Sequence, residues 1–134
     1  MVESLSKKKN LPIVSIEIKK LYSNELKRFP YADPCLFVNL VANAEYVVTN
    51  SFHGTAFSVN LSKNFYTLLG GRSSRITNLL SKVGLNERAF INYSEELLNL
   101  ADIDWDSVEE KLNDEREGSF KYIKDVLSDG RIND

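Results

Sequence analysis

Cysteine and histidine are nearly absent: the 134 residues contain one of each, Cys35 and His53. A lone cysteine excludes an internal disulfide, and one cysteine with one histidine excludes a zinc site of the usual kind. The shortage of cysteine fits a reducing, cytosolic setting. Six glycines and three prolines are too few for a collagen-like or low-complexity chain. No apolar run approaches the roughly 20 residues of a membrane-spanning helix. The basic first ten residues lead into no apolar core, so they do not read as a secretory signal. Basic charge is not in excess, with seventeen Lys and Arg against nineteen Asp and Glu, which argues against general nucleic-acid binding. The phosphate loop GxxxxGK, the dinucleotide fingerprint GxGxxG and the nucleophile elbow GxSxG are all missing. Asp102, Asp104 and Asp106 imitate a calcium loop but lack its glycine and distal glutamate. No metal is expected.

What remains is 43% hydrophobic and 27% charged, the mix of one soluble globular domain. The charge is unevenly placed. Residues 1–92 carry twelve basic and six acidic side chains, and residues 93–134 carry five basic and thirteen acidic. A basic body followed by an acidic segment suggests either an anionic ligand for the body or attraction between the two parts.

Residues 1–10 are polar and expected to be frayed. Leu11 to Ile18 reads as a first strand, rich in β-branched residues. Lys19 to Pro34 is polar and irregular, with a short helix around Leu21, Tyr22 and Leu26. Asp33 as cap and Pro34 at the first position predict a helix with Phe37, Leu40 and Val41 on its apolar face. Tyr46 to Thr49 is an unalternating apolar run, as in a strand covered on both sides. Phe52 to Leu61 is helical in pattern, and Asn64 to Leu69 is another strand. Ser73 to Val83 is a helix with Ile76, Leu79, Leu80 and Val83 on one side and Gly84 at its end. A short strand at Ala89 to Ile91 and a short helix capped by Ser94 follow. The acidic segment, about 104–129, is helical, with a capping-box-like start at Asp106 to Glu109 and a bend or break at Gly118. Trp105 anchors it. The alternation predicts an α/β fold: a Rossmann-like parallel sheet of about four strands with helices on both faces. Residues 11–134 form this single lobe.

In such sheets ligands collect where strands end and helices begin. Thr49 to Gly54 occupies such a junction, and helix-start N–H groups attract anions. Gly54 permits close approach of a ligand or another chain, and Ser51 supplies a short polar group. His53 suits proton transfer near neutral pH or, as imidazolium, an anion contact. The competing reading makes it a structural histidine hydrogen-bonded under the sheet edge. Gly70 to Arg75 is a second junction, expected on the same edge. Arg72 and Arg75 sit where a helix N-terminus disfavours cations, a cost that a bound anion would offset. Otherwise their guanidinium groups extend into water or pair with the acidic segment. Phe52, Phe57, Phe65 and Tyr66 read as packing residues.

The residues from Phe37 to about Leu85 resemble the C-terminal half of the polysaccharide pyruvyl transferase family. The core phrase is TNSFHGTAF at Thr49 to Phe57, followed by SRI-x-x-LL, with a weaker likeness from Ile103 to Leu127. The resemblance implies one lobe of a two-lobed fold similar to the GT-B glycosyltransferases, with the active site in the cleft between lobes. It implies transfer of pyruvyl from phosphoenolpyruvate to two sugar hydroxyls as a ketal, in exopolysaccharide or cell-wall polysaccharide biosynthesis. No cofactor is implied beyond that donor. The acceptor would be a saccharide or a lipid-linked saccharide, and the location the cytoplasm, at the inner face of the membrane. In that setting His53 is general acid or anion ligand, Arg72 and Arg75 hold phosphate or carboxylate, and Ser51 and the amides around Gly54 complete the pocket. Some members carry arginine two residues before the histidine, where this chain has Ser51. Family enzymes also have an N-terminal lobe ahead of this region, so a separate lobe or a second copy is an expected partner. The alternatives are a non-catalytic interaction module and a GT-B-like lobe binding a nucleotide sugar.

Overall fold

The computed structural model describes residues 1–71 and 73–128. It is α/β, as expected, but its strands form two small parallel sheets instead of one. Strands β1 (Ile13–Ser15) and β2 (Glu25–Arg28) make the first. Strands β3 (Tyr46–Thr49), β4 (Asn64–Leu68) and β5 (Ala89–Phe90) make the second, in that spatial order. The register runs from Tyr46 opposite Asn64 to Thr49 opposite Thr67, and then Thr67 opposite Ala89. The helices are α1 (Val2–Lys9), α2 (Pro34–Asn43), α3 (Phe52–Asn60), α4 (Ser74–Val83) and α5 (Trp105–Ser128). Among the described residues no helix is long and apolar enough to cross a membrane.

The larger sheet is covered on both faces, which explains why YVVT shows no polar alternation. On one face Phe65 packs with Val59 of α3, Ile76, Leu80 and Val83 of α4, and Val108 and Leu112 of α5. On the other, Tyr66 and Phe90 pack with Leu5 of α1 and Leu98. Phe65 and Leu80 are wholly buried, and burying side chains of this size stabilises by about 1.5–3 kcal/mol each. Asp33 caps α2 by accepting the Leu36 N–H at 2.8 Å, and Gly84 ends α4 in the left-handed region at φ 74. Trp105 is partly buried against the first cluster.

Four local expectations are corrected. Residues 2–9, expected frayed, are helical, because Leu5 finds Tyr66 and Phe90 and because Lys8 donates to the Leu98 carbonyl at 2.9 Å. The stretch Glu25–Arg28, expected to lie in an irregular or helical segment, is a strand held by pairing with β1. The start of α5 is two residues earlier than the capping box suggested, with Asp104 accepting the Ser107 N–H at 3.4 Å. Gly118 neither bends nor splits α5, which runs unbroken for 24 residues.

Candidate functional site

All three strands of the larger sheet run parallel, so the β3–α3 and β4–α4 junctions open on one edge. At the first junction a chain of short polar side chains fixes the backbone. Thr49 Oγ1 accepts the Ser51 N–H at 3.0 Å, and Ser51 Oγ caps α3 by accepting the Gly54 N–H at 3.4 Å. Thr55 Oγ1 donates to the Ser51 carbonyl at 3.0 Å and lies 3.0 Å from Thr67 Oγ1 on β4, tying the helix to the sheet. Ser58 Oγ donates to the Gly54 carbonyl at 2.7 Å.

Gly54 is buried, and the group that approaches it closely is Thr49 of the same chain. A Cβ at position 54 would stand 2.9 Å from Thr49 Cβ and closer still to Oγ1. Glycine therefore lets the first turn of α3 settle on the end of β3. Ser51 and Gly54 bond each other, which leaves the Ser51 hydroxyl proton free to donate outward. The N–H groups of Phe52 and His53 have no acceptor among the described residues.

His53 is exposed, and its ring has no hydrogen-bond partner among the described residues. It meets the Phe52 ring nearly edge-on, with centroids 5.8 Å apart and planes at 74°. Arg75, one residue inside α4, is also exposed, and its Cζ lies 5.0 Å from the centroid of the same Phe52 ring. No ion pair engages Arg75 among the described residues; the acidic segment pairs instead through Lys82 with Glu115 and internally through Arg116 with Glu109. The fold thus brings His53, Ser51, Gly54 and Arg75 to one rim. Arg72 lies outside the described residues. At the second junction Ser73 Oγ donates to the Gly70 carbonyl at 2.8 Å, and Gly70 and Gly71 face open space.

The electrostatics of this rim favour an anion. Two helix N-termini point partial positive charge at the same edge, and neither α3 nor α4 has an acidic residue in its first turn. Phe52, whose sequence pattern indicates packing alone, also faces this rim. An aromatic at the first helical position directly before the lone histidine was the available signal.

Polar groups elsewhere serve the structure. At the opposite end of β3 the Tyr46 hydroxyl donates to Asp102 Oδ1 at 2.9 Å, and its ring lies 4.9 Å from Lys9 Nζ. Interaction with the neighbouring Tyr46 hydroxyl raises the Lys9 pKa, and burial raises that of Tyr66. Arg88 is buried, donates to the Ala101 carbonyl and has Nε 3.5 Å from Glu87 Oε1. Nε has no hydrogen-bond partner among the described residues. Grooves of about 520 and 420 Å³ lie along α1, the first lined by Lys7, Lys8 and Glu95, and neither touches His53 or Arg75. Among the described residues no group of three His, Cys, Asp or Glu is placed to hold a metal.

Parallel strands joined by crossing helices, with two helix starts on one edge, define a Rossmann-like α/β lobe. More specifically, the polysaccharide pyruvyl transferase family profile matches residues 2–70, and the chain belongs to that family. The match includes α1 and the whole Ser51–Gly54 junction and stops short of Arg72 and Arg75. No curated protein and no solved structure matches the chain.

Proposed function

We propose that this rim binds phosphoenolpyruvate and contributes to pyruvyl transfer onto a sugar. The observation that supports this best is the convergence of His53 and Arg75 on Phe52, beside two helix N-termini free of acidic residues. Phosphoenolpyruvate carries a phosphate and a carboxylate. Arg75 suits either through two parallel N–H contacts. The Ser51 hydroxyl and the N–H groups of Phe52 and His53 suit the second oxyanion.

The chemistry needs a proton on the methylene carbon. Its addition converts the enol phosphate to an electrophilic C2, and a solvent-accessible imidazole can supply it. One sugar hydroxyl adds to C2, and the C2–O bond to phosphate breaks. A second hydroxyl of the same sugar then closes the ketal. The two hydroxyl protons end on the new methyl group and on the released phosphate, so the reaction balances with no cofactor. The acceptor is a saccharide, free or lipid-linked, and the opposite wall of the cleft comes from a complementary lobe.

Thermal unfolding with phosphoenolpyruvate and with nucleotide sugars tests the donor, since a ligand specific to the native state raises apparent stability. Phosphoenolpyruvate is expected to raise the Tm. With a complementary lobe present, His53→Ala is expected to abolish transfer while its ligand-free Tm stays near wild type. Unchanged turnover in His53→Ala dismisses the acid. Stabilisation by nucleotide sugars alone reassigns the rim to glycosyl transfer.

A further inference from the structure

We infer that Phe52 is a positioning residue, which holds Arg75 over the rim, beside His53, before any anion arrives. The inference rests on the phosphoenolpyruvate reading above. Phe52 opens α3, and its ring is partly buried against the cluster of Phe65, Ile76 and Leu80. The core therefore fixes the ring. Its face takes the Arg75 guanidinium at 5.0 Å, and it meets the His53 ring at 5.8 Å.

The need for such a platform follows from the charges. Arg75 sits in the first turn of α4, where the helix dipole opposes a cation. It has no carboxylate partner among the described residues. An arginine so placed would otherwise extend into water, retaining most of its rotamer freedom. The negative face of an aromatic ring attracts the guanidinium and offsets the dipole. A guanidinium already parked at the rim loses less freedom when it grips an anion. Stacking on the ring face also leaves the N–H edges of the planar group open for that grip. The Phe52 side chain itself touches no substrate and acts through Arg75.

The test uses the 134-residue chain and phosphoenolpyruvate in calorimetric titrations. Phe52→Leu keeps an apolar side chain for the core and removes the ring face; Phe52→Tyr keeps both. Phe52→Leu is expected to weaken binding about two- to fivefold, the range for an exposed cation–π contact. Phe52→Tyr should bind like wild type. In an Arg75→Ala background, Phe52→Leu should have no further effect, a coupling that general loosening of the fold would not produce. In the ligand-free wild type, ring current should displace the Arg75 side-chain proton resonances, and Phe52→Leu should abolish the displacement. Wild-type Arg75 resonances at unstructured positions overturn the inference, however the variants fold. So does a Leu variant that binds as tightly as wild type, or a loss that persists without Arg75. A wild-type chain that does not bind phosphoenolpyruvate overturns the functional reading itself, and this inference with it.

Discussion

Replacing Gly54 with alanine drives one methyl group into the end of β3. The new Cβ would lie 2.9 Å from Thr49 Cβ and nearer to Oγ1, inside any real carbon contact. Thr49 cannot yield freely. It is β-branched, with a restricted χ1, and its Oγ1 accepts the Ser51 N–H that shapes the rim. Overpacking of this kind costs about 1–3 kcal/mol, while exchanging glycine for alanine in a helix returns about 1 kcal/mol or less. The net loss should be about 1–2 kcal/mol, or about 4–7 °C in Tm for a chain of this size. Differential scanning calorimetry reads the shift, and amide exchange at Ser51 reads the broken bond. Adding Thr49→Ser removes Cγ2 and frees the hydroxyl to rotate but keeps Cβ, so it should recover part of the loss, and the two changes should be non-additive. A Gly54→Ala chain melting at or above wild type refutes the argument, because glycine would then not be required by the approach of Thr49.

Two further outcomes follow from groups away from the rim. Arg88→Ala removes the buried guanidinium that holds the Ala101 carbonyl and opens space beside Tyr66, whose ring centroid is 5.8 Å from it. Denaturant unfolding should show a loss of about 2–4 kcal/mol; a change within about 0.5 kcal/mol, typical of surface positions, contradicts this. Alkaline pH should weaken the fold through Lys9 and Tyr66, whose folded-state pKa values lie above the ordinary 10.5 and 10.0. Each folded group holds its proton more tightly than the unfolded chain does. Their contribution is therefore complete below those ordinary values and is lost as pH rises through the folded ones. Lys9→Met should flatten the alkaline fall in Tm, and an identical pH profile in the variant opposes the assignment.

The segments readable in the sequence are those whose pattern and boundaries agree. Tyr46–Thr49 is a short, doubly covered strand between turn residues, and Ser74–Val83 has an apolar face and a terminal Gly84. The segments that escaped depend on distant partners. Glu25–Arg28 has little intrinsic strand preference and is extended because β1 lies beside it. Residues 2–9 carry too few apolar positions to announce a helix, and Leu5 is buried only because Tyr66, Phe90 and Leu98 meet it. At the rim, the parallel topology was enough to place His53 and Arg75 on one edge. The role of Phe52 was not legible, because its ring serves the core and the surface at once and no one-dimensional pattern separates the two. A glycine at position 54 implies openness in the sequence, whereas its neighbour is Thr49, a contact that exists only after α3 folds back on β3.

The central claim is that the anion seat lies at the starts of α3 and α4. Amide and side-chain NMR resonances followed during titration with phosphoenolpyruvate test it most directly. Saturable shifts gathered on Thr49 to Thr55 and on Arg75 are the predicted result. An unperturbed rim, or shifts confined to Lys7 and Lys8 in the groove beside α1, would contradict it.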